Sequence, residues 1–253
     1  MRRLPRRLKH GEEATLVEHL DELRKRIFVC LGALAAALTA TYAFHHRIIH
    51  WLNGPLPAAK RHPITFGVAE PFLTSLTVSL YAAFVIALPV ILWQAWAFLA
   101  PAFEERTQRG VRWLVAIATI LTIAGILFAY YVVLPAALTF LTSYDDNLYN
   151  IQIRAKDYYN FVSLVLLAVA IVFQVPLFIL GLVRIGVTSA AKLRRNWRMG
   201  IVIMTAIAVA LPGVDPFTTA LEMVPLISLY LLSLALAGFF ERRWRPATAA
   251  AEQ

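Results

Sequence analysis

Apolar residues fall in six long blocks along the chain, with polar stretches between them. The blocks cover residues 27–44, 72–93, 111–134, 161–183, 199–211 and 217–240. A helix of about 20 residues crosses ~30 Å of hydrocarbon at about 1.5 Å per residue, and the first four blocks meet that length. The fifth block has only 13 positions, and Glu222 shortens the apolar stretch of the sixth. The pattern predicts an all-α polytopic membrane protein with six transmembrane helices, of which the fifth and sixth are short.

Proline and glycine residues lie inside or beside these blocks, where they favour bends. They are Pro89, Gly125, Pro176, Gly181 and Pro225. Proline removes a backbone N–H from a helix, and neighbouring helices must then satisfy the freed carbonyl. We therefore expect a curved, concave bundle, and the alternative is the ordinary proline content of membrane helices.

The composition supports the membrane assignment. The chain has 253 residues, of which 60% are hydrophobic and 15% charged, and its mean hydropathy is +0.66. Soluble domains carry about 25% charged residues, so this chain has too little polar surface to cover a soluble fold. Its net charge of +9 is explained by membrane orientation and anionic lipid. Nucleic acid is disfavoured as a partner, because basic patches interleaved with aromatic residues are absent from the sequence.

Lysine and arginine are concentrated in alternate loops. Of the 24 basic residues, 19 lie in segments 1–26, 106–112, 184–198 and 242–245, and five lie in the remaining loops. The positive-inside rule places these four segments, and with them both termini, in the cytoplasm. That arrangement requires an even number of spans, in agreement with six.

The chain is expected to divide into three parts. These are a basic N-terminal tail (1–14), a single six-span membrane domain (15–240) and a cytoplasmic C-terminal tail (241–253). A signal peptide fits the N-terminal arginine pairs less well, because no small-residue cleavage site follows the first apolar block at the right distance.

Residues 15–26 are predicted to form an amphipathic helix along the cytoplasmic interface. Thr15 and Glu18 have the spacing of a capping box, which starts a helix. A stripe of apolar side chains at helical spacing then leads into the first block. The stripe consists of Leu16, Leu20, Leu23 and Ile27.

Three acids, Glu18, Asp21 and Glu22, project from other faces of this helix. Anchoring at an anionic membrane does not need them, so they are candidates for binding a basic ligand. The alternative is a solvated face with ion pairs at i,i+4, namely Asp21–Lys25 and Glu22–Arg26.

Polar residues also occur within and beside the later blocks. Gln174 lies near the middle of the fourth block beside Pro176. Such a residue faces protein or a water-filled cavity, and we expect it to join helices or, alternatively, to line a polar cavity. Glu70 and Glu222 border the outer interface and Asp215 lies in the last outward loop, where acids are expected to be solvated.

No set of residues in the sequence indicates catalysis. A Walker loop, an aspartate-rich diphosphate motif and a His-Glu-x-x-His motif are all absent from it. His46 and His50 have metal-ligand spacing, but interfacial histidines are the better interpretation, and the single Cys30 cannot form an intramolecular disulfide. We expect no enzyme activity, no metal and no cofactor.

Four motifs in order along the chain resemble the TatC family, the receptor subunit of the twin-arginine protein translocase. The motifs are HLDELRKR (19–26), LPVILWQAWAFLAPA (88–102), FQVP (173–176) and LPGVD (211–215). The resemblance is collinear over roughly residues 15 to 240. It implies a protein that binds twin-arginine signal peptides and helps to move folded proteins across the membrane.

The resemblance also implies roles for particular residues. Glu22 matches an acid that binds signal-peptide guanidinium groups, and His19 and Arg24 match orienting or surface-facing groups of the same signature. The family's second acid lies in the first cytoplasmic loop, where the Glu-Arg pair of this chain comes two residues early. Glu105 is the better match and Glu104 the next.

Three further positions match the family in the later part of the chain. Many members have Glu where this chain has Gln174, and Pro176 and Asp215 also fit, so these three are expected to line a polar surface or to contact a partner.

The partners implied by the resemblance are TatA- and TatB-type single-span proteins, signal peptides, membrane lipid and further subunits in a homo- or hetero-oligomer. The implied location is the cytoplasmic membrane of a prokaryote. The alternative function is a secondary transporter of a small solute, which predicts charge inside the spans and an internal repeat. The six blocks hold almost no charge and show no repeat.

Overall fold

The structure is a computed structural model that describes residues 16–57, 61–99, 111–144, 148, 151–184, 186–212 and 216–244. These residues form helices joined by loops. In chain order the helices are α1 (Leu16–Ala43), α2 (His45–Leu52), α3 (Glu70–Leu99), α4 (Val111–Phe128), α5 (Leu134–Ser143), α6 (Ala155–Val172), α7 (Val175–Arg184), α8 (Ala190–Arg195), α9 (Trp197–Ala210) and α10 (Pro216–Trp244). A π-helical turn, Ala129–Val133, joins α4 to α5.

Six apolar helical stretches match the six predicted blocks in order. Five are long and apolar enough to cross a membrane, and a sixth, Trp197–Ala210, is shorter. The five are His19–Ala43, Glu70–Phe98, Val115–Ser143, Ala155–Arg184 and Pro216–Phe239. The all-α polytopic membrane fold is therefore confirmed, and the helix pattern is consistent with six spans.

The last helix corrects one expectation, because it is not short. Helix α10 has 29 residues and continues through both Glu222 and Pro225. Glu222 is 1% exposed, so its side chain lies inside the protein and does not break the lipid-facing surface of the helix. Acids within spans are tolerated in this way when they face the bundle interior. The expectation of a solvated interfacial Glu222 was wrong for the same reason.

Successive spans run in opposite directions, and side-chain contacts show which ends meet. The ring of His19, at the start of α1, lies 4.4 Å from the ring of Phe98 at the end of α3. Near the end of α10, Glu241 accepts a hydrogen bond from the backbone N–H of Ala190 at the start of α8, at 2.7 Å. We call the end of the bundle that carries these contacts the basic side, since the segment around α8, residues 184–198, carries five of the 24 basic residues. The other end is the opposite side.

On the opposite side, a loop is tied to the start of α6. The backbone N–H of Ile64 donates to Ile153 and that of Ala155 donates to Ile64, at 2.9 and 2.8 Å. Glu70, which begins α3, accepts the Arg154 guanidinium at 2.9 Å and is 6% exposed. It is buried and paired rather than solvated as expected. By accepting this hydrogen bond, Glu70 raises the pKa of Arg154 above its ordinary value.

The largest apolar core surrounds α6. Fully buried residues of α6, such as Val162 and Val165, pack with Val133 and Leu134 from the π-helical turn and α5. A second cluster joins α9 to α10, where Ala208 meets Leu226 and Tyr230. These contacts fix the later spans to one another.

Candidate functional site

The candidate site lies on the basic side, where the first turns of α1 meet the last turns of α3. These two helices pack along their length, and Arg26 bridges them. Its Nη2 donates to the backbone carbonyl of Ala97 at 2.8 Å, and its Nη1 donates to Gln94 Oε1 at 3.2 Å. The first helix is therefore held to the third through a guanidinium group.

Glu22 supplies the carboxylate of this site. Arg26 Nε donates to Glu22 Oε1 at 3.0 Å, and Nη2 donates to the same oxygen at 2.5 Å. The side chains of Arg26 and Glu22 are 22% and 35% exposed, so both are within reach of water. The Glu22–Arg26 ion pair, which was the alternative interpretation of these acids, is therefore present. No ion pair joins Asp21 to Lys25, both of which lie in the described part of α1.

The structure places the other predicted residues of α1 in different surroundings. His19 lies one turn before Glu22, on the same side of the helix, and packs against Phe98. Arg24 is exposed, and its guanidinium lies 5.7 Å from the centre of the Phe28 ring. Residues two apart on a helix do not face each other, so Arg24 is not part of the group around Glu22.

Three of the predicted residues lie outside the described part of the chain. They are Glu104 and Glu105, which lie between Leu99 and Val111 in the chain, and Asp215, which precedes Pro216. Their assigned roles remain predictions.

Gln174 occupies a break in the fourth span, between α6 and α7. It is 6% exposed. Its Nε2 donates to Thr122 Oγ1 at 3.0 Å, to the Ala118 carbonyl at 3.2 Å and to the Ala170 carbonyl at 3.4 Å. The amide therefore joins α4 to the fourth span, which is the helix-joining interpretation of this residue.

Pro176 explains why the helix breaks here. It is the second residue of α7, and proline is tolerated in the first turn of a helix because it needs no backbone donor there. The Gln174 N–H bonds to the Ile171 carbonyl at 2.9 Å, three residues back. The span thus restarts at Val175 rather than continuing through the proline.

Gln174 also lines an apolar groove between α3 and α7, here called the Gln174 groove. Its volume is about 390 Å³. Gln174 Oε1 is buried and has no hydrogen-bond partner within the described chain. The remaining lining is almost entirely apolar: Leu88, Leu92, Ala95, Trp96, Ile171, Val175, Leu177, Phe178, Gly181 and Leu182. The groove is therefore an apolar surface with one buried amide oxygen behind it.

Close packing defines one wall of this groove. A side chain added at Gly181 would overlap the Trp96 ring, so the absence of a Cβ lets α3 approach α7. Trp96 is only 9% exposed and seals the groove from that side.

Two residues of the site were not predicted from the sequence, although they lie in the motif at residues 88–102. They are Gln94 and Phe98, which contact Arg26 and His19. A signal was available for Gln94, because it stands alone among apolar residues in segment 88–100. An isolated amide near the end of a span usually has a partner in the protein.

Of the two histidines suggested as an alternative metal site, His46 packs against the neighbouring His45. The rings of His45 and His46 lie 4.1 Å apart. Within the described ranges, no group of three or more His, Cys, Asp or Glu side chains is placed to hold a metal ion.

This fold is that of a polytopic helical membrane protein whose first two spans are joined by a guanidinium, which donates to a side-chain amide and a backbone carbonyl of the second span. The family model for the Sec-independent protein translocase protein (TatC) matches residues 18–225. The chain belongs to the TatC family, which is a family of protein translocase components and not of enzymes.

Relatives and solved structures agree with this assignment. A chloroplastic TATC from Arabidopsis thaliana is 34% identical over 225 residues, covering 88% of this chain and 66% of the relative. TatC from Synechocystis is 32% identical over 219 residues, covering 86% and 85% of the two chains. The chain thus spans just under two thirds of the chloroplast relative and most of the cyanobacterial one.

The fold has also been seen in a crystal. A crystal structure described as the twin-arginine translocase receptor TatC in DDM has a TM-score of 0.77 and 30% identity to this chain. The structural match covers 87% of this chain and 99% of the solved chain.

Proposed function

We propose that this protein is the signal-peptide receptor and core subunit of a translocase that exports folded proteins carrying twin-arginine signal peptides. The observation that carries the proposal is the Glu22 carboxylate, which is half-exposed at the start of α1 and already holds a guanidinium. The names of the relatives and of the solved TatC structures support the same role.

The chemistry of the site suits such a peptide. Two adjacent arginines need acceptors for planar, forked donors, and carboxylates accept them better than neutral groups do. Glu22 is the first acceptor. Glu105, or else Glu104, is proposed as the second, and His19 and Arg24 as groups that flank the bound peptide.

The proposed location is the cytoplasmic membrane of a prokaryote, with both termini in the cytoplasm. The support is the distribution of charge, since 19 of the 24 basic residues lie in the loops and tails of one side. This orientation places Glu22 on the side where newly made precursors are found.

The proposed partners are TatA- and TatB-type single-span proteins, membrane lipid and further subunits of a homo- or hetero-oligomer. The Gln174 groove supports an apolar partner, because it combines a mostly apolar lining with one buried acceptor. Pro176 helps to shape this region, and Asp215 is proposed as a partner contact.

One of the arguments against the transporter alternative was that the spans hold almost no charge, and the structure overturns it. Glu222 is buried inside α10, so the spans do hold a buried acid. The family match, not a lack of internal charge, therefore favours protein translocation over solute transport.

The test is binding of a synthetic twin-arginine signal peptide to the full-length chain in lipid nanodiscs. We expect Glu22→Gln to weaken binding about tenfold, since a hydrogen bond to a charged group contributes roughly 1.5–3 kcal/mol. Asp21→Asn is the matched control, because Asp21 is the exposed neighbouring acid on the same helix. Equal affinity of the wild type and Glu22→Gln would show that the assigned role of Glu22 is wrong.

A further inference from the structure

The Arg26 guanidinium is surrounded by acceptors from two helices, so the contact is more than a pair within α1. Glu22 Oε1 accepts from both Nε and Nη2, the Ala97 carbonyl accepts from Nη2, and Gln94 Oε1 accepts from Nη1. Residues 22 and 26 share one helix, but residues 94 and 97 are 68 and 71 positions away from Arg26. We call these three acceptors the guanidinium cradle.

The cradle matches the shape of a guanidinium and not that of an ammonium. Its acceptors receive donors from Nε and from both terminal nitrogens, which lie in one plane and point in fixed directions. A lysine ammonium presents three donors from a single atom and cannot reach all three acceptors in this arrangement. The cradle therefore distinguishes arginine from lysine by geometry as well as by charge.

The present occupant is held only partly out of water. Arg26 is 22% exposed and Glu22 is 35% exposed, and ion pairs of this exposure are weak compared with buried ones. The arginine side chain is long and flexible, so Arg26 can leave the cradle and exchange these hydrogen bonds for bonds to water.

We propose that the cradle is a guanidinium-binding site that Arg26 fills in the resting protein, and that one arginine of the substrate peptide replaces Arg26 there. This inference rests on the proposed function. It adds Gln94 and the Ala97 carbonyl as groups that contact the substrate, and it makes Arg26 an internal competitor of the signal peptide.

A competitor of this kind lowers the apparent affinity in proportion to the fraction of molecules whose cradle is empty. Removing the Arg26 guanidinium should therefore tighten peptide binding. For a partly exposed ion pair supported by two further hydrogen bonds, the expected gain is about three- to tenfold. If Arg26 instead only braces Glu22 in position, its removal should weaken binding.

The experiment compares Arg26→Met with wild type in nanodiscs, using a fluorescent synthetic twin-arginine peptide. Lys25→Met is the matched control, since it removes one positive charge from an exposed neighbouring position outside the cradle. The proposal predicts tighter binding for Arg26→Met and an unchanged affinity for Lys25→Met. Weaker or unchanged binding by a folded Arg26→Met protein, or an equal gain in both variants, would overturn it.

A second pair of measurements covers a loss of folding in Arg26→Met. Arg26→Lys keeps the charge and the aliphatic stem that help to hold α1 on α3, but it loses the planar fork. The proposal predicts that the peptide raises the unfolding temperature of Arg26→Lys more than that of wild type, because binding to the native state stabilises it. An equal or smaller rise in Arg26→Lys would contradict the exchange.

Gln94 provides the test of specificity. We expect Gln94→Leu to reduce the preference for a twin-arginine peptide over a twin-lysine peptide, and an unchanged preference would exclude Gln94 from the substrate contacts. Glu22→Gln separates the two claims. If it leaves binding unchanged, the proposed function fails, whereas if it weakens binding and Arg26→Met does not tighten it, only the exchange fails.

Discussion

Arg154 Nε lies 2.9 Å from Glu70 Oε1, and this pair connects the start of α3 to the residue preceding α6. The second carboxylate oxygen accepts from the backbone N–H groups of Phe66 and Gly67, at 3.1 and 3.2 Å. The loop before α3 is thus held by an acid that begins the helix. Glu70 is buried and accepts four hydrogen bonds, two of them from Arg154. It therefore holds the loop, α3 and the start of α6 together on the opposite side.

Arg154→Leu should lower the unfolding temperature of the protein. The substitution leaves the Glu70 carboxylate, which is 6% exposed, without its guanidinium, and a buried acid that loses its cation is destabilising. The measurement is thermal unfolding of the purified protein in detergent. Lys156→Leu is the control, because Lys156 is exposed two residues away, and equal unfolding temperatures for the two variants would contradict the prediction.

Gln174→Leu should lower stability by about 1 kcal/mol, since hydrogen bonds between membrane helices average roughly 0.6 kcal/mol each and Gln174 donates to several acceptors. Binding of the twin-arginine peptide should be retained, because Gln174 joins helices. Thr122→Val, which removes one of the acceptors, should have a smaller effect in the same direction. Lost binding with a normal unfolding temperature would instead identify the groove as part of the peptide site.

Gly181→Val should destabilise the protein by roughly 1–3 kcal/mol, the usual cost of overpacking a close contact. The added side chain overlaps the Trp96 ring and forces α3 and α7 apart. Gly32→Val is the matched control, since nothing lies within 4 Å of a Cβ placed at Gly32. A denaturant or thermal unfolding series checks both variants, and similar losses of stability would argue against the packing explanation.

Tyr130→Phe should cost about 1 kcal/mol, the net contribution of a typical hydrogen bond. The π-helical turn points Tyr130 at α2, where its hydroxyl donates to the Trp51 carbonyl at 2.8 Å and its ring stacks on the Trp51 ring at 4.1 Å. Tyr130→Ala removes both contacts and should cost more. If the phenylalanine and alanine variants unfold at the same temperature, stacking contributes little.

The spans could be predicted from the sequence because the thickness of the membrane sets the length of an apolar block. The short fifth span was visible for the same reason. The length of α10 could not be predicted, because a sequence does not reveal which face of a helix its neighbours cover. In the sequence, Glu222 was taken to interrupt the apolar stretch of the sixth span. In the structure, its side chain is buried inside the protein and the helix continues.

The candidate site could be predicted only where it is local. The spacing of Glu22 and Arg26 on one helix indicated their ion pair. The contacts of Arg26 with Gln94 and Ala97 depend on how two spans pack, over about 70 intervening residues, and no local pattern encodes that. Glu70 shows the same limit, since its partner Arg154 is 84 positions away.

The break in the fourth span is held by an amide, and an amide has no proton to gain or lose in the physiological range. The bonds from Gln174 to Ala118, Thr122 and Ala170 are therefore the same on an energised membrane, with its difference in acidity across the bilayer, as on a resting one. A glutamate at this position would make the same joint depend on its protonation state. In this chain the hydrogen bonds that hold the break between α6 and α7 therefore do not depend on the protonation of Gln174.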